Sequence, residues 1–100
     1  MTNQRRGGGE LLLIALVDIS QKLNASLVTL EVRASNHPAQ SLYRKYGFTQ
    51  VGVRRAYYLD NREDGILMST ENITTTSFQE HFQRRKQAYF RKRKVLHYPE

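Results

Sequence analysis

The apolar residues near the start of the chain predict a helix. A run from Leu11 to Val17, followed by Ile19, begins directly after Glu10. Good helix formers and an acidic residue in the first turn favour a helix, which we expect to end near Asn24. Its first two turns are apolar almost all round, so we expect it to be buried on more than one side.

Strict alternation of apolar and polar residues marks the next element, from Leu27 to Arg33. This period of two predicts a strand. Its two faces carry Val28, Leu30 and Val32 on one side and Thr29, Glu31 and Arg33 on the other. Strand interiors disfavour glutamate, so Glu31 indicates that the polar face is solvated or functional.

A second helix is predicted from Pro38 to Tyr46, because proline suits its first turn and Gly47 suits its C-terminal cap. Four residues share its apolar face at helical spacing: Ala39, Leu42, Tyr43 and Tyr46. A hairpin follows, with strands from Phe48 to Leu59 and from Gly65 to Ser69. The threonine-rich stretch 70–76 then reads as a linker before a basic, helical tail.

This order of elements predicts an α/β fold that is short of sheet. If half of the eight apolar residues of the first helix lacked cover, about 2 kcal/mol for each would forfeit roughly 8 kcal/mol. That loss is comparable to the roughly 5 to 15 kcal/mol that stabilises a whole domain. We therefore expect a parent fold in which residues before Met1 supplied further strands and a helix.

Composition narrows the function classes. A chain of 100 residues with 39% apolar content suits a single domain. The absence of cysteine excludes disulfides, a thiolate zinc site and a cysteine nucleophile, and makes a cytoplasmic location the default. Three scattered histidines predict no metal site. Acidic residues lie directly before and after the apolar run, which argues against an export signal. No stretch is long enough to span a membrane.

The net charge of +7 is concentrated at the end of the chain. Residues 1–76 hold nine basic and seven acidic residues, whereas residues 77–100 hold seven and two. The basic residues of this tail are Arg84, Arg85, Lys86, Arg91, Lys92, Arg93 and Lys94, interleaved with Phe78, Phe82, Tyr89 and Phe90. Such a pattern fits an amphipathic helix that makes a weak contact with ribosomal RNA or with an acidic partner, or else a solvated or disordered tail.

The turn that precedes the first helix has the composition of a phosphate cradle. Gln4, Arg5 and Arg6 are followed by Gly7, Gly8 and Gly9, which lead directly into the helix. Glycines allow the backbone to approach an anion closely, and a helix N-terminus offers unpaired N–H groups and partial positive charge. The pattern is neither a Walker A loop nor a dinucleotide fingerprint. A plain glycine-rich loop is the alternative.

Three motifs in order resemble the GNAT acetyltransferase superfamily. They are the cradle from Gln4 to Gly9, the strand with Glu31 that leads to Asn36, and the helix that ends in Tyr43-Arg44-Lys45-Tyr46-Gly47-Phe48. The runs Leu30 to Gln40 and Arg54 to Asp64 are similar to the RimI type, the ribosomal-protein-alanine N-acetyltransferases. The resemblance covers residues 4–70 and implies the C-terminal portion of the GNAT fold, a mixed sheet with flanking helices that lacks its N-terminal strands and helices. The division expected is a partial GNAT domain at 1–70 and a basic tail at 71–100.

The same resemblance implies a role for each site residue. The cofactor-binding set would be Arg5, Arg6, Gly7, Gly8 and Gly9 for the coenzyme A pyrophosphate, with Asn36 on the pantetheine side. Glu31 would be the general base and Tyr43 the general acid. Tyr57 and Tyr58 would hold the acceptor peptide. Read without the family, Tyr43 is a core tyrosine, Asn36 a helix cap and the two later tyrosines ordinary strand residues.

The resemblance implies an acetyl-CoA-dependent enzyme without a metal. Its acceptor would be the N-terminal amine of a protein, namely the N-terminal alanine of a small-subunit ribosomal protein. Gly8 stands where members of the family usually have an apolar residue, which predicts a more flexible cradle. Two alternatives stay open on the sequence, a basic RNA-binding or ribosome-associated module without activity and a truncated, inactive gene product.

Overall fold

A computed structural model describes residues 8–94, and the side chains of residues 9–92. Six elements follow in chain order: α1 Gly8–Lys22, β1 Thr29–Arg33, α2 His37–Lys45, β2 Phe48–Tyr58, β3 Glu63–Thr70 and α3 Thr76–Lys94. The predicted order of helix, strand, helix and hairpin is confirmed, with ends that coincide or differ by at most three residues. None of the helices in the described range combines the length and apolarity that crossing a membrane requires.

The three strands form one antiparallel sheet in the order β1-β3-β2. Because β3 lies in the middle, it pairs with β1 on one side and with β2 on the other. Alternation then divides the side chains between two faces. The covered face carries Val32, Phe48 and Met68, all buried, whereas the open face carries Glu31 and Arg54, both exposed.

All three helices contribute to one core on the covered face. Its buried members are Leu13, Ile14, Val17, Val28, Val32, Ala39, Tyr46, Phe48, Met68, Ile73, Phe78, Phe82 and Tyr89. The predicted apolar faces of β1 and α2 are confirmed, because their residues belong to this core or pack against it. The core therefore fixes β1 and α2, the two elements that bear Glu31 and Tyr43.

Only one side of α1 is buried. Leu13, Ile14 and Val17 lie in the core, while Leu12 is 73% exposed and Ile19 55% exposed. The prediction that this helix is buried on more than one side is wrong for the described residues. Nearly every residue of its first turns is apolar, so periodicity could not distinguish the side that faces the sheet from the side that does not.

The basic tail forms a helix that packs on the core. Phe78, Phe82 and Tyr89 of α3 are at most 7% exposed, and Lys86 Nζ lies 2.7 Å from a carboxylate oxygen of Asp18 on α1. The alternative of a solvated or disordered tail is therefore wrong for this helix. The division at residue 70 stays a prediction, and residues on both sides of it contribute to this core.

A glycine ends α2 and makes room for α3. Gly47 has a φ of +94°, a conformation that side chains strongly disfavour, and it follows the C-cap residue Tyr46. A Cβ atom placed on Gly47 would lie 3.3 Å from the ring of Phe78. The predicted glycine cap is confirmed, and it also sets the close approach between α2 and α3.

Candidate active site

Glu31 occupies the middle of β1 on the open face of the sheet. Its partner there is Arg54 of β2, whose Nε lies 2.9 Å from a carboxylate oxygen of Glu31. The pair spans the central strand, because Glu31 is in register with Leu67 and Arg54 with Gly65. Both side chains remain partly exposed, so the carboxylate is accessible from solvent although it is held by a cation.

Tyr57 and Tyr58 continue from Arg54 along an irregular part of β2. The pairing with β3 shifts between Arg54 and Tyr58, and Ala56 has a φ of +50° while its N–H donates to the Asp64 carboxylate. The shift brings the two rings together edge to face, with their centroids 5.1 Å apart. The Arg54 guanidinium lies 5.4 Å from the Tyr57 ring centroid.

Tyr43 lies on α2 and is half-buried. Its ring centroid is 5.9 Å from that of Phe48, so its body packs on the core as the core-tyrosine alternative predicts. Burial raises the pKa of Tyr43, and the nearby Tyr58 raises it further. The phenol is therefore protonated throughout the neutral range, which a proton donor requires.

Direct contacts through Arg54 join three of the predicted site residues, Glu31, Tyr57 and Tyr58. Glu31 binds Arg54, Arg54 lies against Tyr57, and the Tyr57 ring contacts Tyr58. Tyr58 in turn acts electrostatically on Tyr43. Glu31, Arg54, Tyr57 and Tyr58 thus form one cluster by direct contact, whereas Tyr43 packs on the core beside Phe48 and is related to the cluster by the electrostatic effect of Tyr58.

Arg33 anchors the same hairpin. Its guanidinium donates to both carboxylate oxygens of Asp60 at 3.1 Å and lies 4.1 Å from the Tyr58 ring centroid. Ser35 also holds the hairpin, since its hydroxyl and its N–H both donate hydrogen bonds to the Glu63 carboxylate. The Ser35 hydroxyl is the chief reason that the pKa of Glu63 falls to about 2. The turn that presents Tyr58 is therefore fixed by charge-assisted hydrogen bonds.

Asn36 caps α2. Its side-chain oxygen accepts a hydrogen bond of 3.1 Å from the N–H of Ala39. The capping alternative is confirmed, since this contact satisfies one of the free donors at the helix start. A role toward pantetheine stays a prediction.

The glycine cradle is described only at its end. Arg5, Arg6 and Gly7 lie outside the described residues, whereas Gly8 and Gly9 begin α1. The acidic residue that follows, Glu10, accepts a hydrogen bond from the Tyr46 hydroxyl and lies 3.3 Å from Lys45 Nζ.

That pairing bears on whether the first turn of α1 suits the phosphates of coenzyme A. Because Lys45 neutralises Glu10, the carboxylate opposes an incoming anion less strongly than a free one would. Burial and the bond to Glu10 together raise the pKa of Tyr46, so its phenol remains a donor. The described residues are therefore compatible with a phosphate group at this helix start.

Sequence reasoning missed two members of the cluster, Arg33 and Arg54. A signal for Arg33 was present, because it is two residues from Glu31 and must share its face of the strand. Arg54 could not be found in this way, because its pairing with Glu31 depends on β3 lying between β1 and β2. Only the strand order and register bring that arginine to the carboxylate.

Comparisons with known proteins identify chains that are similar to this one. Residues 3–48 match the Acetyltransferase (GNAT) family. The ribosomal protein bS18-alanine N-acetyltransferase of Escherichia coli strain K12 is 46% identical over 68 residues, which are 66% of this chain and 46% of that relative. The crystal structure of the E. coli ribosomal-protein-S18-alanine N-acetyltransferase gives a TM-score of 0.61 at 43% identity, covering 70% of this chain and 46% of that one.

A further solved structure is the NatC complex bound to Gag peptide and CoA. It is 28% identical, with a TM-score of 0.57, and the match covers 64% of this chain and 39% of that one. The chain spans less than half the length of the curated relatives it matches. The matches confirm the resemblance drawn from the cradle, from the strand with Glu31 and from the helix with Tyr43, and over residues 3–48 the chain is similar to the GNAT acetyltransferase family.

Proposed function

We propose that this chain carries the coenzyme-binding and catalytic part of an enzyme that moves an acetyl group from acetyl-CoA to the N-terminal amine of a protein. The observation that supports this most directly is the chain of contacts from Glu31 through Arg54 to Tyr57 and Tyr58, together with the electrostatic effect of Tyr58 on Tyr43. It combines a carboxylate and an aromatic surface along the strands with a protonated phenol on α2.

The acceptor we propose is an N-terminal alanine of a small-subunit ribosomal protein. The E. coli relative is named for acetylation of ribosomal protein bS18 at alanine. A free α-amino group has a pKa near 8, whereas lysine has one near 10.4, so only the former is neutral to a useful extent near neutral pH. A carboxylate is too weak a base to deprotonate lysine readily, and this favours the N-terminal amine.

Acetyl-CoA supplies a thioester whose carbonyl carbon receives the amine nitrogen and whose sulfur leaves. We assign to Glu31 the removal of one proton from the attacking nitrogen, directly or through water. Tyr43 donates its phenolic proton to the departing sulfur. The C–N bond forms as the C–S bond breaks, and no covalent enzyme intermediate is needed. Arg54 must release or share the Glu31 carboxylate while the base acts.

We assign the remaining residues to binding. Arg5, Arg6 and Gly7, which lie outside the described residues, together with Gly8 and Gly9, would hold the pyrophosphate through N–H groups and charge. Asn36 would contact the pantetheine arm in addition to capping α2. Tyr57 and Tyr58 would line the path of the acceptor peptide, which suits the edge-to-face arrangement of their rings.

The test is transfer of labelled acetyl from acetyl-CoA to a peptide with N-terminal alanine. We expect Glu31→Gln and Tyr43→Phe each to lower kcat/KM by roughly 10² to 10⁴-fold, the usual contribution of a general base or acid. Glu80→Gln, an exposed glutamate on α3, is the matched control and should be neutral. A peptide whose only amine is a lysine side chain should be a poor acceptor. Unchanged rates in both site variants would remove Glu31 and Tyr43 from the mechanism.

A second, weaker activity is contact with ribosomal RNA through α3, in the cytoplasm where ribosomes are found. Arg84 and Arg91 are exposed on this helix, and Phe90, which lines a cavity together with Arg91, is 45% exposed, so charge and a stacking surface are adjacent there. The prediction is RNA affinity that falls steeply with salt. Binding that does not change with salt, or no binding at low salt, would count against it.

A further inference from the structure

A small cavity forms where the three helices meet, close to the first turn of α1. Its volume is about 100 Å³, and on the same measure a single water needs roughly 10 to 15 Å³. It is lined by Glu10 of α1, Lys45 of α2, and Arg85, Ala88, Tyr89 and Lys92 of α3. The cavity is therefore large enough for a small anion and lies beside the helix start already assigned to phosphate.

The charges around this cavity do not cancel. Glu10 is already taken, because it accepts a hydrogen bond from Tyr46 and pairs with Lys45. Arg85 and Lys92 are exposed and form no ion pair with any residue whose side chain is described. Three cations and one carboxylate leave two positive charges without a counterpart.

Arg85 and Lys92 share one face of α3. They are seven residues apart, two helical turns, so both side chains lie over the same line of the helix, with Tyr89 between them. Arg84 and Arg91 have the same spacing one residue earlier and line two other cavities. The helix thus directs Arg85 and Lys92 toward the start of α1, and Arg84 and Arg91 toward two other cavities.

We propose that this cavity is a second phosphate subsite, which binds the 3′-phosphate on the ribose of coenzyme A. This inference rests on the proposed function, because it requires that the coenzyme binds. The molecule carries a diphosphate and, separately, a phosphate monoester with a charge of roughly −1.5 to −2 at neutral pH. The monoester matches the two uncompensated cations, and an arginine with a lysine is a suitable donor set for it.

The subsite would be a feature added by α3. The family match ends at residue 48, so Glu10 and Lys45 lie within it, whereas Arg85 and Lys92 lie beyond it. Aromatic burial explains why α3 packs on the core but does not explain two exposed cations turned toward α1. A role in coenzyme binding accounts for both the position of the helix and the charge on this face.

Calorimetric titration with coenzyme A and with 3′-dephospho-coenzyme A tests the proposal. The wild-type chain should bind coenzyme A at least about tenfold more tightly, since a charge-assisted hydrogen bond contributes roughly that factor or more. In the double variant Arg85→Gln, Lys92→Gln the preference should fall to within about twofold, while affinity for the dephospho form stays the same. Arg84→Gln, Arg91→Gln is the matched control and should keep the preference.

The outcomes separate this inference from the proposed function. Equal wild-type affinity for the two ligands would overturn the subsite and leave coenzyme binding intact. Loss of preference in the control pair as large as in the test pair would mean diffuse attraction by the helix, and would also overturn it. If neither ligand binds, the proposed function fails, and the subsite fails with it. All four side chains are exposed, so thermal unfolding should show that every variant folds.

Discussion

The two faces of the sheet use the same three strands for different purposes. On the covered face, side chains of β1, β2 and β3 join those of the helices in a core where Phe48, Met68 and Phe82 are fully buried. On the open face, the same strands hold Glu31 and Arg54 as an ion pair in contact with solvent. Packing on one face supplies the rigidity that positions polar groups on the other.

Removing a ring from the covered face should give the largest effect. Phe82→Ala deletes a fully buried aromatic that contacts Tyr46 and Phe78, and such deletions cost about 3 to 5 kcal/mol. We expect the free energy of unfolding in urea to fall by that amount, or cooperative unfolding to disappear. The variant also tests whether α3 belongs to the domain.

Phe90→Ala is the control for that measurement, because it removes the same side chain from the same helix at a position that is 45% exposed. Its cost should be well under half that of Phe82→Ala, since little apolar area is buried there. Equal costs for the two variants would mean that α3 does not pack as described.

The covered face was predictable in its strands but not in its last helix. Val28 and Val32 alternate with polar residues, which fixes the buried face of β1 without any tertiary information. Phe78 and Phe82 also have helical spacing, but they lie among so many basic residues that composition indicated a solvated tail. The decisive contact, the ring of Phe78 against Gly47, joins residues far apart in sequence. Composition alone could not reveal it.

On the open face, Glu31 could be singled out from the sequence, but its partner could not. Glu31 and Tyr43 were identified through a family pattern, and alternation places Glu31 away from the core. Its pairing with Arg54 required the strand order, in which a later strand is inserted between β1 and β2. Local periodicity carries no information about which distant strands become neighbours.

An intermediate loss of stability is expected from the contact between Tyr46, at the end of α2, and Glu10 of α1. Tyr46→Phe keeps the buried ring but removes the hydroxyl that donates to Glu10, and bonds to charged groups contribute about 1.5 to 3 kcal/mol. Urea unfolding at neutral pH measures this loss.

The same variant should alter the response to alkali. Burial and the bond to Glu10 raise the pKa of Tyr46 in the folded state, so its stabilisation is complete below the ordinary value near 10 and is lost as pH rises above that value. Part of the wild-type loss of stability above about pH 10 should be absent from Tyr46→Phe. Identical alkaline profiles would show that the phenol is not held in this way.

On the open face, breaking an ion pair should cost much less. Arg54→Gln removes the partner of Glu31, but the arginine side chain is 55% exposed, and exposed pairs contribute about 0.2 to 1 kcal/mol. A double-mutant cycle with Glu31→Gln measures the coupling, and Arg55→Gln at the next residue is the control. A coupling energy of several kcal/mol would show that this face supports the fold as much as the covered one does.

The acid dependence of stability should weaken in Glu63→Gln, a change in the hairpin beside the open face. Hydrogen bonds from Ser35 and Asn61, with Arg33, lower the pKa of Glu63 from 4.5 to about 2. A folded-state pKa below the unfolded one gives stability that is present above the unfolded value and is lost as pH falls from about 4.5 toward about 2. Urea unfolding between neutral pH and about pH 3 should therefore show a weaker acid dependence in Glu63→Gln than in the wild type. Glu80 has no such partners among the described residues, so Glu80→Gln should keep the acid dependence of the wild type. If Glu80→Gln weakened the acid dependence as much as Glu63→Gln does, that dependence would reflect the overall charge of the chain and not the hydrogen bonds that fix the hairpin with Tyr58.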